Sequence, residues 1–257
     1  MAKRGQVTIF IIVGIIIVAF AILIYIFYPK ITSTLGFEAK NPSQYIQNCL
    51  EDSIKQSVKT ISLQGGSVNP QHYFLYVGNK TEYLCYSESY YTQCVMQQPM
   101  LKEHIEAEIK KSVEAQAQSC LSQMAESYKN KGYDVNLGQG AFYVELLPKK
   151  ILVVFNNSLT LAKTGTEKYN SINFGINNNL YELVSIANSI LNWEARYGNA
   201  ETTLYMDYYH DLKVEKKEQS DGTKIYILTD RNTGDIFQFA TRSVAWPPGY
   251  GMEGTYV

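Results

Sequence analysis

The stretch QPMLKEHIEAEIKKSVEAQAQSCLSQMAESYKNKG, residues 98–132, carries the clearest helical pattern in the chain. Its apolar residues recur every three or four positions and so fall on one face of a helix: Leu101, Ile105, Ile109, Val113, Ala117, Leu121, Met124 and Tyr128. Glu106 and Lys110 form an i,i+4 pair on the polar side, and Gly132 ends the pattern. The charged residues between the apolar ones predict a half-buried helix rather than a membrane span.

Two more segments have the same periodicity. Residues 41–66 begin with Asn41 as N-cap and Pro42 at the first helical position, and Gly65 and Gly66 end them. Their apolar stripe comprises Ile46, Leu50, Ile54, Val58 and Ile61. Residues 177–198 repeat the pattern and end at Gly198. The chain therefore contains three predicted amphipathic helices.

The segments between these helices read as strands, because they are rich in aromatic and β-branched residues and are separated by turn residues. They are HYFLYV and EYLCYS around GNK, FYVELL and KILVVFNN around Pro148, SLTLAK and EKYNSINF around TGT, TTLYMDYY and LKVEKK, and KIYILTDRNTGDIFQFATR. This order predicts an α+β fold in which three helices cover one face of an antiparallel sheet.

The N-terminal segment has a different character. Val7–Tyr28 is 22 residues without a charge, about 33 Å long as a helix, which matches a hydrocarbon core of about 30 Å. A secretory signal has a shorter apolar region and a small-residue cleavage site after it, and here YIFYPK follows instead. A buried soluble helix is the other alternative, but the length exceeds the spanning threshold. We predict a single transmembrane helix over residues 6–29.

The charges that flank this helix set the expected topology. Lys3 and Arg4 precede it, so the positive-inside rule places residues 1–5 in the cytoplasm as a short leader. Residues 30–40 form a tether, and residues 41–244 form an extracytoplasmic α+β domain. Residues 245–257 are a tail whose prolines and glycines exclude a central strand or helix. Trp246 and Tyr250 in this tail dock either on a neighbouring subunit or on the domain's own surface.

The four cysteines all follow the apolar segment, which outside the cell indicates two disulfides. Four cysteines allow three connectivities. Cys85 and Cys94 flank a predicted turn, and Cys49 and Cys120 lie on two predicted helices, so 85–94 with 49–120 is the simplest pairing. Zinc is the rival interpretation, but no pair has C-x-x-C spacing, and we predict no metal site. Asn79 and Asn156 begin glycosylation sequons.

Motifs of catalysis are missing from the sequence. His104 lies beside Glu103 and Glu106, which are off its helix face, and is expected to be a solvated helix residue. His210 is expected to be structural. The sequence contains neither a G-x-S-x-G elbow nor a phosphate-binding loop. With 23 basic and 24 acidic residues it also lacks the excess positive charge of nucleic-acid-binding proteins. We therefore expect a protein that is not an enzyme, has no cofactor and does not bind nucleic acid.

The motif RGQV, Arg4–Val7, resembles the site that archaeal prepilin peptidases cut in class III signal peptides. The resemblance implies cleavage between Gly5 and Gln6, with the apolar segment retained to hold the subunit in the membrane and later packed in a filament core. Phe10 stands where bacterial type IV pilins carry a glutamate. The opening KRGQVTIFIIVGIIIV, with NCLE at residues 48–51 and LQGG at residues 63–66, also resembles uncharacterised membrane-anchored proteins of small-genome archaea.

The resemblance implies a membrane-anchored cell-surface structural protein, a pilin-like filament subunit that self-assembles through its N-terminal helix in the lipid bilayer. One alternative is a single-pass anchored extracellular domain that binds or adheres without forming a filament. An anchored extracytoplasmic enzyme is the third class.

Overall fold

The computed structural model describes residues 14, 17–18 and 41–247. The chain divides into two compact units, Met1–Pro42 and Ser43–Val257. The described residues of the first unit are Gly14, Ile17 and Val18, which are helical and exposed. Within the described ranges no helix combines the length and apolarity needed to cross a membrane. Apart from those three residues, the predicted leader, transmembrane helix and tether lie outside the described residues, as does the tail from residue 248 onward.

Four helices occur in residues 41–247, and the first three confirm the amphipathic patterns. They are α1 (Pro42–Leu63), α2 (Leu101–Asn130), α3 (Leu180–Tyr197) and α4 (Thr203–Tyr208). After α1 the amide of Gly66 donates to the carbonyl of Ile61 at 2.9 Å, and Gly65 adopts a φ of 80°, the left-handed conformation that such an ending needs. Gly198 ends α3 with a φ of 77°.

The same residues contain twelve strands in three separate sheets. The strands are β1 (Tyr73–Tyr76), β2 (Asn79–Tyr86), β3 (Val95–Met96), β4 (Asp134–Leu137), β5 (Phe142–Leu147), β6 (Lys150–Phe155), β7 (Leu159–Ala162), β8 (Thr166–Tyr169), β9 (Ile172–Asn177), β10 (Leu212–Glu218), β11 (Thr223–Asp230) and β12 (Ile236–Arg242). The largest sheet has the order β1-β2-β12-β11-β10, with β3 also paired to β2, and the smaller sheets are β4-β7-β8 and β5-β6-β9.

The predicted fold class is wrong for the domain, because three helices do not cover a single antiparallel sheet, and the transmembrane helix predicted before it lies almost entirely outside the described residues. The described chain is mostly sheet, and β12 runs parallel to β2 although every other pair is antiparallel. EKYNSINF supplies two strands in different sheets, and TTLYMDYY, expected to be extended, forms α4. Turn signals identify neighbouring strands in a hairpin, but they do not show which hairpins share a sheet.

The core lies between these sheets and the helices. The apolar stripe of α2 is buried as expected and packs against β5 and β4, whereas α3 packs against β12 and β11. Tyr226, Phe237 and Phe239 are fully buried on the face of the large sheet that α3 covers. The opposite face of that sheet holds a smaller apolar cluster around Tyr83, Ile225 and Ala240.

Candidate interaction surface

The connection between β2 and β3, residues 87–93 (SESYYTQ), presents two tyrosines to solvent. We refer to it as the tyrosine loop. The side chains of Tyr90 and Tyr91 are 43% and 53% exposed. The Cys85–Cys94 disulfide closes the loop at its base. Large aromatic rings held in this way are typical of recognition surfaces, because they contribute contact area while losing little conformational entropy on binding.

Backbone hydrogen bonds fix the loop against the end of β12. The amide of Ser87 donates to the carbonyl of Arg242 at 2.9 Å, and the amide of Tyr91 donates to the carbonyl of Ala245 at 2.9 Å. In return the amide of Val244 donates to the carbonyl of Thr92 at 2.9 Å. The loop is therefore preorganised, and a partner does not have to order it.

Arg242 supports the loop from beneath. It is only 8% exposed, and its guanidinium donates to the carbonyls of Glu88 at 2.8 Å and Asp221 at 2.9 Å. The guanidinium carbon lies 5.2 Å from the ring centre of Tyr90 and 6.0 Å from that of Tyr86, within the range of cation–π attraction. The buried charge thus orients the exposed Tyr90 ring.

Further rings extend the surface away from the loop. His72 lies 4.2 Å from Tyr86 and 4.7 Å from Tyr83, measured between ring centres. Burial raises the pKa of Tyr83, whose hydroxyl lies 2.7 Å from that of Thr223. On the other side of the loop, Trp246 makes an edge contact with Tyr91 at 4.9 Å. Aromatic rings therefore lie on both sides of the tyrosine loop, in two separate groups.

Unusual backbone conformations occur at this surface. Tyr91 and Val244 adopt φ values of 59° and 48°, in the left-handed region that side chains, and β-branched ones above all, rarely enter. Residues in such conformations persist only when their surroundings impose them, and they cluster at functional sites. Here the paired hydrogen bonds between residues 91–92 and 244–245 impose the conformation.

Both disulfides expected from the sequence are present, and they include all four cysteines of the chain. Cys49–Cys120 joins α1 to α2 with a Cα–Cα distance of 6.0 Å. Cys85–Cys94 spans only nine positions and fixes the tyrosine loop. One disulfide therefore holds two helices together, and the other shapes the exposed surface.

The two predicted glycosylation sequons differ in environment. Asn79 is partly buried at the start of β2, and the Thr81 hydroxyl of its sequon is fully buried and accepts a 2.7 Å hydrogen bond from Gln238. Asn156 and Ser158 are exposed. The second sequon is therefore the one that the folded domain leaves accessible. Gly5 and Gln6, the predicted processing site, lie outside the described residues.

The prediction that His104 is a solvated helix residue is wrong. His104 is partly buried, and its Nε2 lies 2.8 Å from the hydroxyl of Ser67. Glu108, at i+4 rather than at the positions considered from sequence, accepts a hydrogen bond from the Val68 amide at 2.8 Å. Burial raises the pKa of nearby Glu82, although a hydrogen bond from Ser67 lowers it. This polar cluster joins α2 to the turn after α1.

His210 is exposed in the turn before β10. No group of three or more His, Cys, Asp or Glu residues in the described part of the chain is arranged to hold a metal ion.

A buried ion pair connects α3 to the large sheet. Glu194 is fully buried, and its carboxylate accepts from Lys224 Nζ at 2.9 Å, from the Tyr226 hydroxyl and from the Ala200 amide at 3.2 Å. Burial and the adjacent Glu194 carboxylate raise the pKa of Tyr226 well above its usual range. Every oxygen of this carboxylate has a partner, so the network is suited to structure rather than to catalysis.

A groove of about 360 Å³ runs between α1 and the turn that joins β11 to β12. Its walls are mainly apolar, with Ile54, Val58 and Ile176 among them, and Lys55 and Lys59 lie on one lip. Lys55 is already paired with Glu51 at 2.6 Å. The tyrosine loop has more of the features of a recognition site, since its rings are both exposed and rigidly supported.

No protein-family model matches the chain, and comparisons with curated proteins and with solved structures give no match.

Proposed function

We propose that the protein is a membrane-anchored cell-surface structural protein of the pilin-like type, and that the domain within residues 41–247 is displayed outside the cell. Its charge-free segment, residues 7–28, holds it at the membrane, and the RGQV motif directs its processing. Two disulfides that use every cysteine are the observation that supports this most, since such bonds persist in oxidising compartments.

Mass spectrometry of the mature protein tests the pilin-like assignment. Cleavage after Gly5 gives a chain that begins at Gln6, and filaments visible by electron microscopy complete the assignment. An intact Met1 or Ala2 terminus together with monomeric protein in detergent argues against filament assembly. Protease treatment of intact cells tests the location separately, because the displayed domain is digested before lysis if the proposal is right.

The second candidate function is adhesion or binding by an anchored domain without a filament. The tyrosine loop favours it, because Tyr90 and Tyr91 are exposed while their backbone and the supporting Arg242 are fixed. Tyrosine and serine are the residues that antibody loops use for contact area and adaptable hydrogen bonding. A rigid loop of this composition is suited to a glycan or protein surface.

A pair of double variants tests this second candidate. Tyr90→Ala with Tyr91→Ala removes the loop's rings, and Tyr208→Ala with Tyr209→Ala removes another exposed tyrosine pair as a matched control. Retention of purified protein on intact cells and on a printed glycan array is the measurement. Loss of retention of tenfold or more in the loop variant alone supports binding by the loop, whereas equal retention of both variants contradicts it.

A further inference from the structure

The two outer strands at one edge of the six-stranded sheet are apolar and uncharged, and the nearest ammonium is that of Lys80 on β2, 5.1 Å from the ring centre of Tyr73. This edge is formed by β1 and by β3, which pair with successive parts of β2. Neither strand contains a charged residue. Leu75 and Val95 are 65% and 67% exposed, and Tyr73 is 39% exposed. Proteins normally protect an edge strand with charges, prolines or a covering element, because its unpaired backbone groups recruit other strands.

The backbone of β1 presents hydrogen-bonding groups on its outer side. In the hairpin with β2, Tyr76 faces Asn79 across the two-residue turn and Phe74 faces Thr81. The carbonyl of His72 accepts from the Tyr83 amide at 3.0 Å, so positions 72, 74 and 76 direct their backbone groups toward β2. Tyr73 and Leu75 direct theirs outward, where no described strand pairs with them.

We propose that this edge is a self-association surface, at which β1 of a second copy of the chain pairs antiparallel with β1 to join two sheets into one. A second copy offers at the same place a strand without charges whose Tyr73 and Leu75 also direct their backbone groups outward, so the two β1 strands are complementary to each other. A two-fold axis perpendicular to the sheet places Phe74 opposite Phe74 of the partner, or Leu75 opposite Leu75 after a shift of register. Cross-strand aromatic and aliphatic pairs then stabilise the contact.

The contact is weak in solution because β1 has only four residues. Attachment of both copies to one membrane raises their effective concentration and makes a weak contact significant. This last step rests on the proposed anchoring, but the pairing itself does not. Protease treatment of intact cells tests the anchor independently, so failure of one proposal is distinguishable from failure of the other.

Cysteine cross-linking of the full-length protein in membranes tests the pairing. The introduced thiol is the only free one, because the four native cysteines are in disulfides. Opposed residues of antiparallel strands lie about 4.5–5.5 Å apart at Cα, within the range that a disulfide spans. Phe74→Cys or Leu75→Cys, according to the register, gives a covalent dimer under mild oxidation, and Glu215→Cys at the opposite edge does not. The proposal is overturned if neither β1 variant forms a covalent dimer, or if Glu215→Cys forms as much dimer as the β1 variants do.

A charge placed on the edge provides the second test. Leu75 and Leu204 are both 65% exposed, so Leu75→Lys and Leu204→Lys change the surface equally and leave the core intact. Energy transfer between donor- and acceptor-labelled copies of the full-length protein in membranes should show self-association weakened at least tenfold by Leu75→Lys and unchanged by Leu204→Lys. Circular dichroism confirms that both variants are folded. Equal self-association of the two variants overturns the proposal.

Discussion

The two edges of the large sheet differ in what they offer to other molecules. At the β10 edge, five of the seven residues are charged, with ion pairs such as Lys213–Glu215 at 2.8 Å, and α4 packs against the strand. At the edge formed by β1 and β3, the strands are uncharged, and the tyrosine loop lies beside them. The same sheet thus combines an edge that resists strand addition with an edge that permits it.

The difference also extends to the interior. Behind the β10 side, Glu194 and Lys224 form a buried ion pair with Tyr226, which fixes α3 on the sheet. On the β1 side, the supports are the Cys85–Cys94 disulfide, Arg242 and rings in edge contact, and they hold a surface rather than a core. The β10 side therefore has a buried polar network, whereas the β1 side exposes aromatic rings and uncharged strands, the features on which the proposed contact depends.

The largest effect is expected from the buried ion pair. Lys224→Met leaves the Glu194 carboxylate buried without its cation, and we expect a loss of about 3–5 kcal/mol in the free energy of unfolding. Chemical denaturation monitored by circular dichroism measures it. Lys213→Met removes a partner from an exposed pair and should cost less than about 1 kcal/mol. Similar losses in the two variants would contradict the assignment of the buried pair, rather than the exposed one, as the stabilising interaction.

The second-largest effect on stability is expected from removal of the disulfides. Replacing Cys49 and Cys120 together by serine should cost about 4 kcal/mol, because that bond closes a long loop, and replacing Cys85 and Cys94 together should cost about 3 kcal/mol. Denaturation midpoints of the two double variants give the order. The second variant should also loosen the tyrosine loop, which proteolysis within residues 87–93 detects. An opposite ranking of the midpoints is incompatible with the loop-closure argument.

A smaller, pH-dependent effect is expected at Glu82. Burial holds its folded pKa above the usual 4.5, so the ionised form is disfavoured in the folded state. The stability that this group contributes is present below pH 4.5 and is lost as the pH rises through the folded pKa. Glu82→Gln should therefore stabilise the protein at pH 7, and this effect should disappear as the pH falls below 4.5.

Glu103→Gln, a substitution at an exposed position on α2, serves as the control for Glu82→Gln. It should leave the stability of the protein unchanged at both pH values. Thermal unfolding of the three proteins at pH 7 and at pH 4 makes the comparison. A stabilising effect of Glu82→Gln that persists at pH 4 would show that charge is not its cause.

The smallest effect on stability is expected from the exposed edge itself. Leu75→Lys replaces a side chain that is mostly in solvent, so the free energy of unfolding should change by less than about 0.5 kcal/mol. Thermal unfolding at low protein concentration measures it. A loss above about 2 kcal/mol would mean that Leu75 packs within its own domain and does not belong to a free edge.

Much of the local structure could be predicted from the sequence, with α4 as an exception. The stripe from Leu101 to Met124, the glycine endings at Gly65 and Gly198, and the hairpins around GNK and DRNTGD all depend on residues close together in the chain. The cysteine pairing could also be predicted, since Cys49 and Cys120 each lie on a recognisable helix. Periodicity and turn chemistry are local signals, and they predicted these elements correctly.

Long-range pairing could not be predicted in this way. The parallel contact of Ala240 with Tyr83 brings together residues far apart in the chain, and it is this contact that places Arg242 beneath the tyrosine loop. No spacing rule links FATR at residues 239–242 to SESYYTQ at residues 87–93. The paired tyrosines at positions 90 and 91 were the only local signal of the candidate surface, and tyrosine is common elsewhere in the chain.

Hydrogen–deuterium exchange of the full-length protein at low and at high concentration tests the contrast between the edges most directly. If β1 forms the contact, the outward amides of Tyr73 and Leu75 become more protected as concentration rises, whereas amides in residues 212–218 do not change. Concentration-dependent protection confined to residues 212–218, or the same exchange of both edges at every concentration, would contradict the account.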